Sequence, residues 1–137
     1  MQITLIGNQD LAIDSSVVLA LPELQELFPN HHFIHQDPTE NLAIPDHNWI
    51  IIDVAQGIDA ITVFHTLERF TGSKSLTAHD YDLYTDLKLM QKTRTLPDFT
   101  IIAVPIFYTK EDVVEKLPGV LEHVLAKDIK KASSSTR

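Results

Sequence analysis

Three short runs of β-branched and apolar residues constrain this chain more than any other feature. They are Met1-Gln2-Ile3-Thr4-Leu5-Ile6, Trp49-Ile50-Ile51-Ile52-Asp53-Val54 and Phe99-Thr100-Ile101-Ile102-Ala103-Val104. A strand with one face in water alternates apolar and polar residues, whereas a strand covered on both faces does not. These runs therefore predict a mostly parallel sheet with helices on both sides. Two weaker strands are expected over His32-Phe33-Ile34-His35-Gln36 and Ala60-Ile61-Thr62-Val63-Phe64. The first can pair beside the opening strand. The second, after a turn at Gly57, is expected at an edge.

Helical patterns fall between the strands. Asp14, Ser15 and Ser16 offer N-cap side chains before Val17, Val18, Leu21, Leu24, Leu27 and Phe28. Pro22 removes an N–H and crowds the carbonyl of Val18, so a kink or restart is expected there. A second helix opens on Asp80-Tyr81-Asp82, with Leu83, Leu87 and Met90 on one face. Its first-turn acids suit the helix dipole. A last helix is expected from about Lys110 to Lys130, divided at Pro118-Gly119 into two pieces. The element order predicts a three-layer α/β/α sandwich with a mostly parallel, about five-stranded twisted sheet and one edge strand.

At 137 residues the chain suits one domain. That domain is expected over residues 1–130, with a disordered polar tail over 131–137. Residues 37–48 are expected to form a loop with at most a short helix, and residues 68–77 a mobile connection. No stretch resembles a secretory signal or a spanning helix, which makes a cytoplasmic protein the expectation.

Composition narrows the chemistry. Cysteine is absent, which excludes disulfides, thiolate metal sites and a cysteine nucleophile. The net charge of −8 disfavours non-specific binding to nucleic acid or anionic membrane. Any metal site must use imidazole and carboxylate ligands. Dinucleotide, P-loop, serine-elbow and zincin motifs are all missing, and basic residues are scattered apart from the C-terminal lysines.

In open α/β sheets, ligands bind beyond the carboxyl ends of the strands. Asp14 follows the first strand, Asp53 closes the central run, and His79 precedes the second helix. Convergence of the three would make a site for Ni, Zn, Fe or Mn with open positions for a substrate. Each has a plainer reading as well. Asp14 and His79 can be helix caps. Asp53 is costly to bury unless it is paired, ligating or at the sheet's wet end. His31, His32, His35, His47, His65 and His123 are expected mostly at the surface.

These positions, in their order and contexts, resemble the hydrogenase maturation proteases. The resemblance spans residues 1–106. It rests on a strand ending in Gly7-Asn8 and a carboxylate six positions after the Asn, at Asp14. It continues through Ile50-Ile51-Ile52-Asp53, Thr77-Ala78-His79-Asp80 and the run from Phe99 to Pro105. The resemblance implies an endopeptidase that removes the C-terminal extension of a nickel–iron hydrogenase large-subunit precursor. It implies Asp14, Asp53 and His79 as ligands and catalytic groups, with Asn8 and Asp37 as substrate contacts. The nickel would be carried by the substrate, so no permanent cofactor is expected, and the protein is expected to be a monomer. Either the nickel activates water or polarises the carbonyl, or a carboxylate such as Asp14 or Asp37 acts as general base.

The chain departs from the common pattern at two places. A single acid, Asp14, stands where the family has two adjacent acids and then a glycine. Asp37-Pro38-Thr39-Glu40-Asn41 replaces a glycine-rich turn. These departures motivate an alternative, a non-catalytic binding module of the same fold acting in hydrogenase assembly. A third possibility, a small nucleotide or sugar-phosphate enzyme, rests only on Gly7-Asn8 after a strand.

Overall fold

The computed structural model describes residues 2–6, 15–36, 43–45, 47–68 and 78–135. Their strands are β1 (Gln2–Ile6), β2 (His32–Gln36), β3 (Trp49–Ala55), β4 (Thr62–Phe64) and β5 (Phe99–Pro105). The helices are α1 (Ser15–Leu19), α2 (Leu21–Leu27), α3 (Ala78–Thr93) and α4 (Lys110–Ser135). The five strands form one sheet in the order β2-β1-β3-β5-β4. All neighbours are parallel except β4, which runs antiparallel to β5 at the edge. The sandwich and its edge strand are as the sequence predicts.

Strand alternation sorts the core into two layers. Ile50, Ile52 and Val54 of β3 join Ile3, Leu5, Ile102 and Val104 under α1, α2 and α4. Trp49, Ile51 and Ala55 join Ile6, Ile101 and Ala103 under Leu83 and Leu87 of α3. Every residue of β3 is buried, which explains its unbroken apolar run. The indole N–H of Trp49 donates to the Thr4 hydroxyl at 2.9 Å, so the polar atoms of this buried pair satisfy each other.

The predicted break near Pro22 is a restart. Ala20 separates α1 from α2, and Pro22 sits in the first turn of α2, where its missing N–H has no helical partner to lose. Lys110 at the start of α4 bonds Glu23 of α2 at 2.9 Å. That bond holds the Glu23 carboxyl below its usual range and the ammonium above its own.

Two sequence expectations need correction. Pro118 does not divide the last helix, because α4 runs unbroken from Lys110 to Ser135. A helix-interior proline costs about 3 kcal/mol. Against it stand Val113, Leu117, Leu121, Val124 and Leu125, all buried on the sheet. Each such burial is worth about 1.5–3 kcal/mol, enough to hold the helix through the lesion. The same helix extends past the tail boundary expected at residue 131. Its start is fixed by a capping box: Asp112 N–H donates to the Thr109 hydroxyl, and Thr109 N–H donates to the Asp112 carboxylate. The backbone donor holds that carboxyl below its ordinary range.

Gly119 carries a testable consequence. A Cβ there would meet nothing within 4 Å. Gly119→Ala is expected to raise unfolding free energy by about 0.5–1 kcal/mol, since only the unfolded chain loses freedom. Urea denaturation checks it, and a lowered midpoint would contradict an uninterrupted helix at this point.

Candidate functional site

The central strand delivers one sequence-predicted site residue into the protein interior. Asp53 is 2% exposed. Its strand neighbours are Ile6 of β1 on one side and Ala103 of β5 on the other. By alternation it shares the face of Trp49, Ile51 and Ala55, the face that α3 covers. A carboxylate among these side chains is expensive in stability, so it is a functional candidate with a physical ground.

The direction of α3 decides which end of that helix approaches Asp53. Its C-terminus lies at the amino edge of the sheet. There the chain turns through Thr95, whose N–H bonds the Met90 carbonyl, and the N–H of Trp49 donates to the Asp98 carbonyl. The 16 residues of α3 rise about 24 Å, and the seven of β3 span about 23 Å. The helix therefore returns its N-terminus to the carboxyl edge. His79 stands in this first turn. The sequence expectation placed it in a loop before the helix; the helix instead begins at Ala78 and includes it.

Asp14 immediately precedes α1 but lies outside the described residues, as do Asn8 and Asp37. Residues 69–77 of the expected connection also fall outside them. Among the described residues, no three His, Asp or Glu side chains gather as a metal site. Residues 43–45 and 47–48, at the end of the expected loop, carry no helix or strand.

Of the other histidines, His35 lies near the carboxyl end of β2, paired with Leu5, and is half-buried. His32, His47, His65 and His123 are exposed. His31 is half-buried beside the Phe28 ring, and desolvation pushes its imidazole below the usual range. At the carboxyl edge, the turn after β5 presents Phe107, 62% exposed, which no sequence signal marked. Among the described residues, no helix is long and apolar enough to cross a membrane.

Solved structures share this fold. The chain matches the hydrogenase maturating endopeptidase HybD from E. coli with a TM-score of 0.65 and 19% identity, over 96% of this chain and 94% of that one. It matches the solution structure of an endopeptidase from Escherichia coli with a TM-score of 0.66 and 17% identity, over 93% and 94% of the two chains. No sequence-family model matches, and no curated protein is detectably similar in sequence. At these identities the likeness establishes the fold, which is the fold the sequence resemblance implied.

Proposed function

We propose that this chain is a divergent hydrogenase maturation protease. It removes the C-terminal extension of a nickel–iron hydrogenase large-subunit precursor after nickel insertion. The observation that carries the reading is Asp53, a carboxylate buried in the central strand of a fold shared with a hydrogenase maturating endopeptidase. Its position on the α3-covered face, with His79 in the first turn of that helix, supports a common site at the carboxyl edge.

Asp14, Asp53 and His79 are the proposed ligands toward the precursor's nickel. Two carboxylates and an imidazole are a hard-to-borderline donor set, suited to a divalent ion whose remaining positions are filled by the precursor. With no cysteine in this chain, any thiolates on the nickel belong to the substrate. Asp53, fixed by strand pairing on both sides, has little freedom to move and so presents a preorganised ligand. His79, in the first turn of α3, would supply the imidazole. Asn8 and Asp37, which follow β1 and β2 in the sequence, are proposed substrate contacts.

The test is processing of nickel-loaded precursor, followed by the mass of the large subunit. Wild-type protein is expected to shorten it, and His79→Ala to leave it full-length while still unfolding cooperatively. Equal processing by the variant would remove His79 from the mechanism. A subunit bound but never shortened by wild-type protein would favour a non-catalytic assembly module.

A further inference from the structure

A cavity among the described residues lies at the opposite edge of the sheet, away from Asp53. It has a volume of about 500 Å³, within the range of small-molecule sites. Trp49 and Phe99, at the amino ends of β3 and β5, form part of its wall. Trp49 stands four residues before Asp53, about 13 Å along the strand.

The charge of the lining reverses that of the protein. The whole chain carries 19 acidic and 11 basic residues. The cavity is lined by Arg94, Lys127 and His65, against the single carboxylate of Asp98. A smaller cavity of about 110 Å³ continues it along β5 and α4, sharing His65, Thr100 and Lys127 and adding His123. These groups come from four separate places in the sequence. The Thr100 hydroxyl, on a buried residue, lies 3.4 Å from Nδ1 of His65 and orients that ring.

Arg94 supplies a second observation. It has φ of 61°, in the left-handed region that favours glycine. Its N–H bonds the Gln91 carbonyl, and Thr95 N–H bonds that of Met90. This is a Schellman closure of α3, with arginine where glycine is usual. The turn thus places Arg94 in the cavity wall, at a backbone position where a side chain is disfavoured.

We infer that this amino-edge cavity is a binding site for a small polyanion, a molecule bearing two or more phosphoryl or carboxyl charges, held by Arg94, Lys127 and His65. Arginine provides a planar fork for such oxygens and lysine a compact charge. The site is independent of the proposed processing site, since no residue is shared between them.

Trp49 is the chain's only tryptophan, so its fluorescence reports the cavity directly. The test titrates the whole chain with inorganic pyrophosphate, with citrate, and with sodium chloride at matched ionic strength, following fluorescence and Tm. A saturable change or a Tm rise with pyrophosphate or citrate, absent with chloride, is expected. Response to one alone identifies phosphoryl or carboxyl groups as the preferred ligand chemistry. Arg94→Gly preserves the left-handed turn, and Lys127→Gln alters an exposed helical position. Each is expected to weaken binding at least about tenfold. Should Arg94→Gly fail to fold, Lys127→Gln decides alone. No response in either readout up to about 10 mM, a value far weaker than ordinary ligand affinities, would overturn the inference. So would an equal response to chloride, or unchanged affinity in the folded variants.

Discussion

Asp53→Asn is expected to abolish the proposed processing reaction while the protein still folds. The amide matches the carboxylate in shape but has no charge with which to hold a cation. A metal contact of this kind stabilises charge by several kcal/mol, and each 1.4 kcal/mol is about tenfold in rate. The loss is therefore expected to be about a hundredfold or more, measured as the time course of large-subunit shortening. Asp53 is 2% exposed between β1 and β5, so an isosteric change is chosen over truncation to spare the strand. A cooperative thermal transition by circular dichroism would show the fold intact. Processing at the wild-type rate would rule Asp53 out as a ligand.

Trp49→Ala is the change expected to cost most stability. The side chain is fully buried beneath α3 with Ile51, Leu83 and Leu87. Truncating a buried aromatic of this size costs about 3–5 kcal/mol. The Thr4 hydroxyl, itself fully buried, also loses its indole donor, at about a further 1 kcal/mol. Domains of this size have only about 5–15 kcal/mol in total. A fall in Tm of about 10–20 °C follows, to be measured by circular dichroism because the variant lacks the fluorophore. A fall under about 3 °C would mean that the layer beneath α3 is not packed around Trp49.

Much of the fold was legible in the sequence, for reasons that are local. The β-branched runs of β1, β3 and β5 must be strands buried on both faces, and helices between them force parallel pairing. Pro22 acts through its own missing N–H, so its restart could be read directly. Pro118 carries the same local penalty, yet its helix continues. What overrides it is the burial of side chains from Val113 to Leu125 on the sheet, which a local rule does not count. The start of α3 was misplaced by two residues for a related reason. Asp80 resembles a cap, but the helix begins ahead of it and takes in His79.

The candidate site was partly legible. Asp53 drew attention because a carboxylate ending an apolar run is costly wherever it is buried. The sequence shows that it alternates with Ile52 and Val54. It does not show which helix covers its side, and the packing of Leu83 and Leu87 decides that it is α3.

Taken alone, then, the sequence determined strand identity, the layered class and the absence of any thiolate chemistry. These depend on residue type and short-range periodicity. Tertiary structure alone decided how distant residues meet. His65, Arg94, His123 and Lys127 look scattered along an acidic chain, each an ordinary solvated residue. Closing β4 against β5, turning α3 back at Arg94 and laying α4 over the sheet brings them around adjoining cavities. Such proximity is set by chain topology, and no local pattern encodes it.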